Sequence, residues 1–540
     1  MSGALLQLAA LSSQDIYLTG NPEITLFKKN YMRYTNFSIE TVQVAFDGGI
    51  VNFGSTATAT LEKTGDLISR LVLVVNLEQI LSTTKWGYVD RIGHAMIDNI
   101  RITIGQSDID IVYQDWIDIY QRMNKDKSQE QNYNIMIGNV AALKKIDYNH
   151  DPYKLFIPLE FWMGKNTSSA FPICSLVNQQ FQVTITFRNQ INVINYYGDI
   201  QPMSSEMPNI VSGYLLVDYI YLETTERNLF KTNNHEYLIE VVQDMTDIIN
   251  KLDTKINLIF DKPTKYLIWY VQLNRYAERH QYMSWASDDN WELARQNFAK
   301  LVWLITRDGL DASDPNNPII NFNTNYVNIG QVPETISGGN TKLEALASKV
   351  NGLILFAENN FGDIIAKATT DNVILTKNEI TYEDMSTTIE EFKLDTDTTE
   401  QQINFLNIHT WSIIDIFNYG NFINRSDNPV INSSFQLNGK NRFQERDGYF
   451  YNYIQPYYYF TNSPPDGVNT YTFSLNPNDT QPSGTINLGY INSKDLLVSL
   501  GKYNNSSDSY LSFFQNGNIR IFAYSYNLLK IFNGSAALGY

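Results

Sequence analysis

One cysteine, Cys174, stands in a chain of 540 residues, so no disulfide can form within it. That fits folding in a reducing compartment. Cys174 lies beside Ile173 and Leu176 and reads as a small buried hydrophobe. Histidine is also scarce. His94, His150, His235, His280 and His409 are far apart, and no two have the spacing of a metal-ligand pair. A single thiol excludes a thiolate zinc site. Basic residues number 40 against 57 acidic ones, a net charge of −17. Such a chain gains no affinity by releasing counterions from phosphate, so no direct nucleic acid binding is expected. No basic arm offsets this, since the first basic residue is Lys28. No run of about 18 apolar residues occurs, and no spanning helix is expected. The N-terminal MSGALLQLAALSSQDIYL is apolar but has no positive flank, which makes it a poor signal peptide. Ser2 stands where myristoylation needs glycine.

Catalytic motifs are missing too. Asn438-Gly439-Lys440 resembles the end of a P-loop, but Ser434 stands where the first glycine belongs and Asn441 replaces the Ser/Thr. No nucleophile elbow is present. Asp108, Asp110, Asp115 and Asp118 form an acidic run without the glycine and terminal glutamate of a calcium loop. They read as the solvated faces of a strand and a helix. No enzyme, cofactor, catalytic residue or metal site is expected.

What the chain does have is β structure. Aromatic residues make up 13%, with 35 Tyr and 28 Phe, and such side chains fit a pleated, half-buried surface. Residues 181–187 alternate: Phe181, Val183, Ile185 and Phe187 on one face, Gln182, Thr184 and Thr186 on the other. Ile100, Ile102 and Ile104 do the same, as do Val42, Val44 and Phe46. Residues 71–75 and 214–222 are apolar on both faces. Polar residues 224–236 predict a domain boundary. Further strands are expected at 265–273, 300–305, 448–454, 471–475, 485–491, 495–500 and 519–525. Trp116, Ile119, Tyr120 and Met123 have helical spacing, and so do Leu238, Val241, Val242 and Met245. Residues 306–400 are acidic and poor in aromatics and read as a long surface insertion; a third small domain is the alternative, with 350–358 as its core strand. The predicted class is all-β with short helices.

Residues 474–490 concentrate turn chemistry between two predicted strands. Asn476-Pro477 suits the start of one type I turn. Gln481-Pro482-Ser483-Gly484 suits a second, with Pro at its second position and Gly at its fourth. The stretch reads as an architectural corner.

Seven segments in order carry a resemblance: 3–40, with Gly20-Asn21-Pro22; 157–183, with Phe161-Trp162; 235–243; 263–272; 437–460; 473–492, with QPSGT; and 519–540, ending LGY. The chain resembles the major capsid proteins of nucleocytoplasmic large DNA viruses. The resemblance is weak over about 306–400. It implies a double jelly roll, two eight-stranded antiparallel β-sandwiches in one chain. It also implies an N-terminal arm at the capsomer base over 1–30, a first jelly roll over 31–226, and a second over 227–540 that carries the insertion. Its implied partners are further copies of itself, as a homotrimer and as neighbouring capsomers, then minor capsid and penton proteins and, indirectly, an internal viral membrane. Its implied place is the virion shell, built in the host cytoplasm. A double jelly-roll scaffold protein of immature virions and a carbohydrate-binding β-sandwich protein stay as alternatives. For Tyr457, Tyr458, Tyr459 and Phe460, trimer interface and intra-domain core both remain open.

Overall fold

The computed structural model describes residues 2–273, 428–500 and 517–539, apart from breaks at 24–25, 28, 30, 50, 145–146 and 197–201. It also describes residues 282–283, 285, 310–311 and 319–320. The first sandwich holds β1 (Phe37–Ala45), β2 (Thr56–Leu61), β3 (Leu67–Leu77), β4 (Ile97–Ile104), β5 (Ser107–Tyr113), β6 (Tyr153–Leu159), β7 (Phe181–Phe187) and β8 (Ile210–Leu222). Its two sheets run β1-β8-β3-β6 and β2-β7-β4-β5, with every pairing antiparallel. The second holds β9 (His235–Ile249), β10 (Asp253–Asn257), β11 (Pro263–Leu273), β12 (Val430–Leu437), β13 (Lys440–Asp447), β14 (Val468–Thr472), β15 (Lys494–Leu500) and β16 (Gly517–Phe532). Its sheets run β9-β16-β11-β14 and β10-β15-β12-β13. The second order is the first with each number raised by eight. This is the expected all-β double jelly roll.

Alternation fills both cores. Ala57 and Ala59 on β2, Ile100 and Ile102 on β4, and Val183 and Ile185 on β7 are buried against Leu71, Leu73, Leu215 and Val217 of the facing sheet. Trp269, Leu267, Ile521 and Ala523 do the same in the second sandwich.

Two stretches take the opposite secondary structure to that expected from sequence. Leu238, Val241, Val242 and Met245 lie on β9, not a helix, because β9 pairs with β16 without a break from His235↔Ile531 to Ile249↔Gly517. Long-range pairing overrides a chance helical spacing. Conversely, the aromatic stretch 448–454 is helical, from Phe450 to Tyr459. Buried Tyr451 donates to the Ser433 carbonyl at 2.8 Å, and Asn452 Oδ1 accepts from Gly467 N at 2.9 Å, so tertiary contacts overrule strand propensity. The polar stretch 224–236 contains a helix, Thr224–Thr232, and the first residues of β9. Expected strand 485–491 shrinks to Ile486–Asn487 and a short 3₁₀ turn. The expectations for 300–305, 350–358 and the insertion at 306–400 lie outside the described residues, except for the paired strands Leu310–Asp311 and Ile319–Ile320.

The helix expected around Trp116 is present as α1 (Gln114–Asn124). It leaves the end of β5 and lies on the outer face of the second sandwich's β9-β16-β11-β14 sheet. The Trp116 ring sits 5.4 Å from Phe522, 5.1 Å from Tyr524 and 6.3 Å from Tyr266. A single buried cluster therefore runs from the core of the first sandwich to the outer face of the second sandwich's β9-β16-β11-β14 sheet. Replacing Trp116 with Ala should lower the free energy of unfolding by about 3–5 kcal/mol, read as a lower denaturation midpoint, with the strand signal of the native state retained.

Candidate assembly surfaces and the junction behind them

The junction between the sandwiches holds two buried charge clusters. In the first, Glu240 on β9 accepts from Lys165 Nζ at 3.2 Å, from the Tyr524 hydroxyl at 2.8 Å, and from Lys265 of β11. Lys165 ends α2 (Trp162–Lys165) and also lies over the rings of Tyr120 and Tyr524, at 4.5 and 4.3 Å. Burial opposes the Glu240 charge, but the two ammonium groups outweigh it and hold the carboxyl below its ordinary range. In the second, Asp115 at the start of α1 takes Arg520 Nη1 of β16 at 2.7 Å and the Tyr270 hydroxyl. Arg520 also reaches Asp244 at 3.2 Å and lies 4.3 Å from the Tyr113 ring centre. Each cluster joins a group from the first sandwich to one from the second.

The acidic run is thus not the solvated surface expected from sequence. Asp108 alone is exposed, paired with Arg101 at 3.3 Å. Asp110, Asp115 and Asp118 are buried: the second sandwich covers the first two, through Val242 and Arg520, whereas Asp118 is enclosed by groups of the first roll. Asp118 is held by Arg91 at 2.9 Å and Arg122 at 2.8 Å. Among the described residues no group of three or more His, Cys, Asp or Glu could hold a metal ion. Asp110 accepts the Val242 N–H of β9 at 3.2 Å, and burial lifts its carboxyl to about 7. Cys174 is half-buried rather than buried, although Ile173 and Leu176 are in the core, and burial pushes its thiol up.

The corner is tied into the junction. Asp479 N donates to the Asn476 carbonyl at 3.3 Å, closing the expected turn with Pro477 at its second position. Gln481–Gly484 differs from expectation: no hydrogen bond from Gly484 N to the Gln481 carbonyl closes a turn there. Ser483 closes the loop instead. Its hydroxyl lies 2.6 Å from Ser474 Oγ and accepts from Asn476 N at 2.9 Å, and its carbonyl accepts from Leu475 N at 3.3 Å. Gly484 has φ +140, and a Cβ there would meet the Phe473 carbonyl oxygen at 2.6 Å. Lys265 Nζ, already on Glu240, donates to the Asp479 carbonyl at 3.0 Å. Pro482 and Gln481 sit on the exposed side.

The structure does not gather the remaining motif residues. Phe161 and Trp162 are buried and start α2, which points Lys165 at Glu240. Gly20, Asn21 and Pro22 lie in an exposed N-terminal segment, where none of the described residues from 2 to 36 is buried. That segment includes two short helices, Gly3–Ala9 and Ile16–Thr19. No helix of the described residues is long and apolar enough to cross a membrane. The aromatic quartet splits: Tyr457 and Tyr458 are 78% and 73% exposed, Tyr459 packs against the core, and Phe460 lies 5.1 Å from the Tyr266 ring.

Sequence reasoning missed Lys165, Glu240, Lys265 and Arg520. A signal was present for three of them, a charge set inside an apolar strand: LIEVV, TKYLIWY and IRIFAY. A charge there needs a buried partner.

Two outcomes follow for this junction. The folded Asp110 carboxyl keeps its proton up to about pH 7, well above an unfolded aspartate. Its contribution is complete below about pH 4 and is lost as pH rises to about 7. Asp110→Asn should therefore flatten the fall in stability between pH 4 and 7, as read by thermal melting across that range. At the corner, Gly484→Val should lower the yield of folded protein by forcing the Phe473 carbonyl away, whereas Pro482→Ala alone should change the melting temperature little.

Residues 25–223 match the family described as major capsid protein N-terminus, and residues 226–537 match that described as large eukaryotic DNA virus major capsid protein. Capsid protein 1 of Acanthamoeba polyphaga mimivirus is 30% identical over the whole of both chains. The major capsid protein of Phaeocystis pouchetii virus is 29% identical, again over both whole chains. Among solved structures, the PBCV-1 virus capsid gives a TM-score of 0.62 at 23% identity, covering 96% of this chain and 100% of that one. The Faustovirus major capsid protein gives 0.61 at 10% identity, covering 98% and 96%. With both jelly rolls in place and both family matches spanning them, this chain belongs to the large eukaryotic DNA virus major capsid proteins.

Proposed function

We propose that three copies of this structural capsid protein form a ring of six jelly rolls, a pseudo-hexagonal capsomer that tiles an icosahedral shell. The observation that carries this reading is the repeat of one strand order in two sandwiches joined by a buried junction. Two like units per chain let three chains approximate a hexagon. Jelly rolls also hide most strand edges, which suits a protein concentrated in a shell.

In this reading residues 1–30 are an arm at the capsomer base, 31–226 the first roll and 227–540 the second. The exposed apolar residues of the arm, among them Leu5, Leu8, Leu11 and Leu18, support a contact outside the monomer. Minor capsid and penton proteins are the partners there, with the internal viral membrane reached only indirectly. The acidic insertion at about 306–400 faces outward. Assembly takes place in the host cytoplasm.

The purified chain should be trimeric by light scattering and show compact hexagonal outlines by negative-stain microscopy; a monomer, or a ring of another order, would overturn the reading. Deleting residues 2–15 should leave soluble trimers while abolishing shell assembly. Loss of the trimer would instead make those residues part of the subunit fold.

A further inference from the structure

A net charge of −17 averages over the whole chain and hides one place where cations gather. A cleft of about 800 Å³ lies at the seam between the rolls. Leu71 and Val72 of β3, with Pro158 and Leu159 of β6, give it an apolar side. The end of α1 and the helix Glu130–Met136 form a second side. Residues 462–465 of the second roll close a third. That third wall is tied to α1. Asn462 N donates to the Met123 carbonyl at 2.9 Å, and the Asn462 side-chain amide donates to the Lys125 carbonyl.

Five basic side chains line the cleft, Arg70, Arg91, Arg122, Lys125 and Lys127, against three acids, Asp126, Glu130 and Glu160. Two of the acids are already engaged. Glu160 takes Lys125 Nζ at 3.2 Å and the Gln121 amide, and Asp126 accepts the Ser128 N–H at 2.9 Å. Arg91 and Arg122 form the inner wall. Asp118, fully buried and outside the lining, holds both: Arg91 Nη1 is 2.9 Å from Oδ1 and Arg122 Nε is 2.8 Å from Oδ2. The two guanidinium groups are therefore neighbours. Burial opposes the Asp118 charge, but Arg122 and Arg91 outweigh it and hold the carboxyl below its ordinary range. A fixed counter-charge keeps both forks in place before any ligand arrives. His94, next to them, adds no charge at neutral pH. Burial pushes its imidazole down to about 4, and its Nε2 lies 2.8 Å from the Tyr133 hydroxyl. Lys125, Lys127 and Arg70 are exposed, so positive charge extends from the buried wall to the mouth.

We infer that this cleft binds a compact anion carrying several phosphate charges. The planar forks of Arg91 and Arg122 match the oxygens of one phosphate group, and the ammonium groups nearer the mouth act as point charges for the next. A single carboxylate would meet only part of this set. The volume is in the range of small-molecule sites and suits a triphosphate with an organic part. Two sources share this chemistry: a free polyphosphate, and the headgroup of an anionic phospholipid, whose chains would lie along the apolar side. Because both rolls supply walls, the bound anion ties them together and stabilises the folded chain. Every lining residue belongs to one chain, so the inference stands apart from the capsomer reading.

The test is calorimetric titration of the full chain at low salt with two probes, inorganic tripolyphosphate and dihexanoyl phosphatidic acid. Tripolyphosphate should bind with a dissociation constant of about 100 μM or tighter, raise the melting temperature, and lose affinity as salt is added. Tighter binding of the phosphatidic acid would support the same seat and assign it to a lipid headgroup. Lys125→Gln combined with Lys127→Gln, both exposed, should weaken the preferred probe about tenfold or more, with the melting temperature of the unliganded chain little changed. Arg122→Gln should weaken it further. Lys530→Gln, on β16 and outside the cleft, should bind as the wild type does. Weaker binding than the stated limit for both probes overturns the inference. So does binding that the paired lysine variant leaves unchanged, or that Lys530→Gln weakens equally.

Discussion

The seat of α1 on the neighbouring sheet is the contact on which the rest of this molecule depends. A jelly roll by itself has two outer faces and needs only one core. Here the outer face of the second roll carries Tyr266, Phe522 and Tyr524, which are too apolar to leave wet. Trp116 covers them. That packing brings Asp115 to Arg520 and Lys165 to Glu240, out of water. Buried ion pairs add little net stability, but breaking one leaves an uncompensated charge. Their effect is therefore on geometry: few relative positions of the rolls satisfy both clusters.

Constraint of this kind is what a shell subunit requires. A capsid protein has no reacting atom to position; its working parts are surfaces held at set angles. In the capsomer proposed above, an error of a few degrees between the rolls would be multiplied around the ring. The corner at 474–490 belongs to the same device. It closes through Ser483 and lends the Asp479 carbonyl to Lys265, so the loop satisfies a buried ammonium group.

Several features could be read directly from residue order. Alternation in 181–187 and 100–104 marks strands because each strand has one face against a core and one against something polar, and the side-chain period of two records that. The i, i+3, i+4 pattern at Trp116 gave α1 for the same kind of reason. Residues 238–245 and 448–454 misled in opposite directions. Each has a local pattern compatible with both helix and strand, and distant partners, β16 for the first and Ser433 with Gly467 for the second, made the choice.

The sequence by itself determined the β class, the lack of catalytic and thiolate-metal chemistry in its motifs, and the family, because these rest on composition, on period-two patterning and on ordered local motifs. Only the tertiary structure decided that Asp110, Asp115 and Asp118 are buried, that Lys165 and Lys265 share Glu240, and that Tyr457 and Tyr458 face out while Phe460 faces in. Whether a charged or aromatic side chain meets water depends on what the fold lays across it. In this chain the covering element is often more than one hundred residues away, beyond the reach of any local pattern.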